Sequence, residues 1–241
     1  MRYILNILRQ ERGSADKYRQ KFYYEAVSEA DTVASALTEI NSRADIRDAD
    51  GEPARSIEWE CSCLQKKCGA CAMVINGRPR LACDARLAEF ASDVTADRTI
   101  EITVEPLRKF PCIADLIADR SILYENLRTL RIWLRSDSSL PEKYRDIAYE
   151  ASECVQCGCC LEICPNFYAG GTFFGMATVP LTTRLLTETD KPLRKEISAA
   201  YSRHVYGGCG KSLACKDICP RHIDTEKLLV NSNAMAVWKR R

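Results

Sequence analysis

Histidine is almost missing from this chain: His204 and His222 are the only two in 241 residues. A Rieske centre needs two histidines set among cysteines, and no such spacing occurs. Charge of one sign is not in excess either. The 35 Lys and Arg face 33 Asp and Glu, a net of +2, which excludes the basic field of a nucleic-acid binder and an acidic tail. There is no membrane-spanning apolar run. The uncharged stretch from Ile163 to Thr183 holds Pro165, Asn166, Gly170, Gly171, Gly175 and Pro180, whereas a spanning helix wants about 20 predominantly apolar residues. It reads as buried or partner-covered surface. Nor is there a nucleotide loop or a catalytic dyad. Met1 to Gln10 lacks the apolar core of a signal peptide and the character of a transit segment. With 46% hydrophobic residues, disorder is excluded.

What the chain has is cysteine, 14 in all. Cys61, Cys63, Cys68, Cys71 and Cys83 form one group. Cys154, Cys157, Cys159, Cys160 and Cys164 form a second, Cys209, Cys215 and Cys219 a third, and Cys112 stands alone. Adjacent cysteines rarely meet disulfide geometry, and a metal draws several thiolates to one point. A reducing, cytoplasmic setting is expected, most simply bacterial.

The first half reads as β-rich with one helix. Arg2 to Arg9 and Lys21 to Val27 are strand-like, around a polar loop from Gln10 to Lys17. Asp31 is the expected N-cap of a helix over Thr32 to Asn41. Ala72 to Ile75 and Arg80 to Ala82 flank Asn76-Gly77, a hairpin signal. Ile100 to Val104 is a further strand. After Pro106 the spacing turns helical: Ile113 to Leu134, Pro141 to Ser152, Leu193 to Val205 and Thr225 to Trp238, with Pro141 and Pro192 at first-turn positions. The fold class expected is α+β. A β-grasp plant-type [2Fe–2S] ferredoxin domain over residues 1–105 precedes an all-α two-cluster ferredoxin domain over 106–241.

Cys63-x4-Cys68-x2-Cys71, followed by Cys83 after eleven intervening residues, is the plant-type [2Fe–2S] spacing. Gly69 lets backbone N–H groups approach the cluster. Zinc usually takes two C-x2-4-C knuckles, which this triplet fits badly. Cys154, Cys157, Cys160 and Cys164-Pro165 give C-x2-C-x2-C-x3-C-P, the bacterial ferredoxin run whose fourth cysteine serves the other cluster. Cys209-x5-Cys215-x3-Cys219-Pro220 is the returning segment. Cys219 is then the natural fourth ligand of a [4Fe–4S] cluster on Cys154, Cys157 and Cys160. Cys164, Cys209 and Cys215 remain for a second cluster, and three ligands suggest [3Fe–4S].

With these motifs, the chain resembles the iron–sulfur subunit of succinate dehydrogenase and fumarate reductase over almost its whole length. Glu105-Pro106-Leu107, Phe110-Pro111 and Asp115-Leu116 are similar to that family's interdomain linker, and Leu81-Ala82-Cys83 to its hairpin. The resemblance implies the same three ligand sets. It implies an FAD-containing flavoprotein partner that interconverts succinate and fumarate. It also implies a cytochrome b-type membrane anchor with menaquinone near the third cluster, and a peripheral place on the cytoplasmic side of the bacterial inner membrane. The chain would relay electrons between flavoprotein and quinone; no nucleic acid is involved.

There are departures. The family's first loop usually carries an arginine and a glycine where Leu64 and Lys66 stand, beside Lys67. Positive charge there favours the reduced cluster and raises its potential. The lysines would equally serve as a docking patch or lie in solvent. Ala169 and Gly210 replace a tryptophan and a histidine common in the family, so the usual quinone contacts do not carry over. An iron–sulfur subunit of another flavin enzyme, not coupled to quinone, is the alternative. Cys61, Cys112 and Cys159 are expected as small buried hydrophobes, and His204 and His222 as structural. Phe167, Tyr168, Phe173 and Phe174 would face an anchor or pack in the core. The tail from Trp238 to Arg241 would touch lipid headgroups or lie in solvent.

Overall fold

The computed structural model describes residues 1–91, 99–134, 137, 139–189 and 191–238. The chain divides into two compact units, Met1–Asp119 and Arg120–Arg241. The first is a mixed sheet with one helix and the second is helical, an α+β chain as expected.

In the first unit, β1 (Arg2–Gln10) and β2 (Lys17–Glu25) form an antiparallel hairpin. β2 starts four residues earlier than its apolar residues suggest, because the ladder pairs Gln10 with Lys17 and leaves only six residues for the loop. Alternate residues of β1, from Tyr3 to Arg9, are buried on one face, the period-2 pattern of a half-covered sheet. Helix α1 (Val33–Ser42) buries Val33, Ala34, Ala36, Leu37 and Ile40. Its N-cap is Thr32, not Asp31. Thr32 accepts from the Ser35 N–H at 3.2 Å and its own N–H bonds Ser35 Oγ at 2.9 Å, a reciprocal cap. Asp31 instead accepts from Tyr24 Oη and the Val27 N–H, both at 2.8 Å.

β3 (Ala72–Ile75) and β4 (Arg78–Leu81) close around Asn76-Gly77. Both turn residues have positive φ, 45° and 75°, the geometry that matches strand twist in a two-residue turn. β5 (Thr99–Glu105) runs parallel to β1 and antiparallel to β3, giving the order β2-β1-β5-β3-β4.

The segment after Pro106 departs from the expected helix and the expected domain boundary. Residues 106–119 belong to the first unit. They form a small hairpin of β6 (Cys112–Ala114) and β7 (Ile117–Ala118), turned at Asp115 with φ 38°. The reason is electrostatic. Asp115 is fully buried, and its carboxylate lies 3.1 Å from Arg9 Nε. It also accepts from Arg55 at 2.7 and 2.9 Å, the Gln10 N–H at 3.0 Å and the Glu58 N–H at 2.9 Å. A helix would carry that carboxylate away from these donors.

The second unit opens with α2 (Ser121–Thr129), all that remains helical of the run expected to Leu134. α3 (Arg145–Ser152) follows a short 3-10 turn after Pro141. α4 is four residues, Cys159–Glu162. α5 (Val179–Glu188) starts inside the uncharged stretch and runs past it, where the sequence pattern predicts no helix; Pro180 sits in its first turn. α6 (Lys191–Tyr201) passes into one π-turn over Ser202–Tyr206, and α7 (Thr225–Ala236) is capped by Asp224. Their apolar faces share a core including Ile147, Val179, Leu186, Ile197 and Leu228, against which Cys154, Cys160, Cys209, Cys215 and Cys219 pack. In the uncharged stretch Phe174 to Thr183 is buried apart from half-buried Leu181, whereas Ile163 to Phe173 is exposed or half-buried except for Phe167, with Tyr168 66% exposed. Among the described residues no helix is long and apolar enough to cross a membrane. Of the basic tail, Lys239, Arg240 and Arg241 lie outside the described residues.

Candidate iron–sulfur centres

The first cysteine loop is wound by left-handed residues. Leu64, Lys66 and Gly69 have φ of 51°, 63° and 74°. Such turns point successive N–H groups inward, a nest suited to negative charge. Here the targets are sulfur. Gln65 and Lys67 N–H groups donate to Cys63 Sγ and the Lys66 N–H to Cys83 Sγ, all at 3.3 Å. The Ala70 N–H reaches Cys68 Sγ at 3.5 Å. These bonds bring the Cys63 thiol down to about 7. Cys71 stands just before β3, where burial pushes its thiol up to about 12.

Cys83 is positioned by the helix. The first N–H groups of α1, Val33 and Ala34, have no intrahelical partners. They bond the Ala85 and Ala82 carbonyls at 3.0 and 3.1 Å, pinning the turn that carries Cys83. The loop lysines part ways: Lys66 Nζ sits 2.9 Å from Asp84, and Lys67 is exposed.

In the second unit the cysteines sort into two cavities. Cys154, Cys157, Cys160 and Cys219 line one. Cys164, Cys209 and Cys215 line the other. The partition is four and three, and the linings share only Met176. Burial raises the Cys154 thiol to about 11 and also raises Cys160, Cys215 and Cys219. Buried thiols of this kind become thiolates only against a positive charge, and metal ligation supplies it. Backbone N–H groups of Arg221, His222 and Ile223 converge on Cys219. Among the described residues no group of three or more His, Cys, Asp or Glu side chains is gathered for a single ion. Several thiols instead line each cavity, and a donor set of cysteine thiolates fits an iron–sulfur cluster.

The spare cysteines differ from one another. Cys159 is buried and its thiol hydrogen-bonds Cys157, which lies at about 7 as a result. Cys61, expected inside, is exposed, and Cys112 is half-buried. The His204 ring stacks on Phe174 with centroids 4.4 Å apart, and its Nδ1 lies 2.9 Å from the Thr172 carbonyl, a packing role. His222 accompanies Cys219 through its backbone. Sequence reasoning missed two residues: Asp84, which holds Lys66, and Gln156, whose side chain reaches Cys154. A lone Asp or Gln beside a cysteine carries no periodic signal.

Residues 4–125 match the 2Fe-2S iron–sulfur cluster binding domain family, and residues 150–223 the 4Fe-4S dicluster domain. The succinate dehydrogenase iron–sulfur subunit of Bacillus subtilis is 31% identical over 90% of this chain and 85% of its own. The chain belongs to the family of succinate dehydrogenase and fumarate reductase iron–sulfur subunits. The fumarate reductase iron–sulfur subunit of Haemophilus influenzae is 27% identical over 72% of each chain. An uncharacterized iron–sulfur protein of Methanocaldococcus jannaschii is 31% identical over 85% of this chain, which spans 39% of that longer protein. A chain in the solved Mycobacterium smegmatis Sdh1 complex, in its apo form, has the same fold, with a TM-score of 0.74 at 22% identity. The match covers 100% of this chain and 98% of that one.

Proposed function

We propose that this subunit relays electrons between an FAD-containing flavoprotein, where succinate and fumarate interconvert, and membrane quinone. The observation that carries the reading is the division of seven cysteines into a four-thiol and a three-thiol cavity in the second unit, together with an N–H-lined cysteine loop in the first. In this reading residues 1–105 form the body of a β-grasp plant-type ferredoxin domain, and 106–119 complete its packing. Cys63, Cys68, Cys71 and Cys83 hold [2Fe–2S]. Cys154, Cys157, Cys160 and Cys219 hold [4Fe–4S], and Cys164, Cys209 and Cys215 hold [3Fe–4S]. When bound, the clusters carry single electrons. The chain contributes partly buried thiol cavities and N–H donors that stabilise sulfur as it becomes more negative.

The subunit would sit peripherally on the cytoplasmic side of a bacterial inner membrane, against a cytochrome b-type anchor, with menaquinone near the third cluster. Membrane fractionation tests this. Co-purification with flavin and haem b is the expected result; a complex wholly in the soluble fraction overturns the quinone-linked reading. Ala169 and Gly210, in place of the family's common tryptophan and histidine, favour the second reading, an iron–sulfur subunit of another flavin enzyme without quinone. The soluble outcome would support it.

A further inference from the structure

Gln156 lies between two cysteines of the four-thiol cavity and is itself part of the lining. Its backbone is left-handed, with φ 51°, a conformation that persists only where the surroundings enforce it. Its side chain is fixed at the same place. One amide N–H of Nε2 donates to Cys154 Sγ at 3.1 Å, and Nε2 also donates to the Ala177 carbonyl at 2.9 Å. The amide cannot be reversed, because Oε1 would then face the Ala177 carbonyl, two acceptors together. In the orientation present, Oε1 is buried without a hydrogen-bond partner. A buried amide that leaves its oxygen unsatisfied is held by what its nitrogen does. Ala177 belongs to the 3-10 turn Met176–Thr178 leading into α5, so the amide ties the cysteine loop to a packed element.

We propose that Gln156 is a positioning residue that raises the potential of the cluster carried on Cys154, by donating a side-chain hydrogen bond to that thiolate. The inference rests on the cluster assignment above and goes beyond it. Reduction adds negative charge to the cluster and its sulfur ligands. A fixed N–H donor aimed at one of them stabilises the reduced form more than the oxidised form. Burial makes the effect larger than it would be in water. The carbonyl of Ala177 keeps the donor aimed in both redox states.

The test is Gln156→Met in the intact complex, a side chain of similar length without the N–H. The expected result is a [4Fe–4S] cluster about tenfold harder to reduce, which for one electron is a potential lower by about 59 mV. The other two clusters should keep their potentials, which a general loosening of the chain would not allow. An unchanged potential in a loaded Gln156→Met complex overturns the proposal. A second measurement needs no variant. With glutamine side chains labelled with ¹⁵N, pulsed EPR of the reduced [4Fe–4S] cluster should show coupling to one amide nitrogen, and its absence overturns the proposal equally. A complex that never holds a [4Fe–4S] cluster refutes the underlying assignment instead, a result iron and sulfide analysis tells apart from the other two.

Discussion

The substitution Asp115→Asn removes one negative charge from an ion pair of the first unit whose two side chains are both wholly buried. The Arg9 guanidinium beside it is also wholly inaccessible. Its other bonds go to neutral acceptors: Gln20 Oε1 at 2.8 Å, and the Ser56 and Arg55 carbonyls at 2.9 and 3.3 Å. An asparagine side chain here would leave that cation uncompensated and turn an NH2 group toward donors. Breaking a buried pair by deleting one partner costs about 3–5 kcal/mol, a large fraction of the roughly 5–15 kcal/mol that holds a domain folded. The site of the loss matters more than its size. Arg55, Ser56 and Glu58 are all tied to this network, and they lead directly into Cys61–Cys63. Loosening them should free the stem of the first cysteine loop. The assay is urea denaturation of the holoprotein, followed by the [2Fe–2S] signal and by circular dichroism. The [2Fe–2S] signal should disappear at a markedly lower urea concentration. Burial opposes ionisation of Asp115, but Arg9, the Glu58 and Gln10 N–H groups and Arg55 together hold its carboxyl below the usual range. Its contribution is therefore complete above the unfolded carboxyl's pKa and is lost as pH falls through the lower folded value. The Asp115→Asn variant should lack that acid-dependent part. A variant within about 1 kcal/mol of the parent, or with unchanged acid sensitivity, would refute the reasoning.

Two further outcomes follow from the cavities and the loop. Cys63→Ala should abolish the reduced [2Fe–2S] EPR signal while leaving the oxidised [3Fe–4S] signal intact; loss of neither means the ligand set is wrong. Gly175→Ala should destabilise the helical unit by about 2–4 kcal/mol, from strain at positive φ and overpacking. Gly175 has φ 70°, and an added Cβ would fall 2.5 Å from Leu161 Cδ2. Thermal melting checks this, and a melting point equal to the parent's would contradict it.

The grouping of the cysteines into one loop and two cavities is legible in the sequence, because metal ligation favours short cysteine spacings that show without any alignment. The Asn76-Gly77 hairpin is legible for a similar local reason: both turn residues need positive φ. Tertiary effects are not legible. The run Ile113, Leu116, Ile117 has helical spacing, yet a buried carboxylate at position 115 makes it a hairpin. The same helical spacing places the expected domain boundary near 105 rather than after Asp119. Asp31 looks like the better cap, but Tyr24 claims its carboxylate and Thr32 caps instead. α5 is hidden because its buried face is rich in threonine: Thr182 and Thr183 return their hydroxyls to backbone carbonyls one turn back, at 2.8 and 2.9 Å. Such bonds let threonine sit inside a helix core that composition alone marks as loop.

We propose that eleven cysteines hold three clusters in a four, four and three arrangement. EPR of the intact complex, with iron and acid-labile sulfide determined on the same sample, tests it most directly. The expected result is about nine iron atoms per chain, a [2Fe–2S] signal on reduction and a [3Fe–4S] signal on oxidation. A colourless, zinc-loaded protein would contradict the electron-transfer reading, and an intact, fully loaded complex with no oxidised [3Fe–4S] signal would contradict the three-thiol centre.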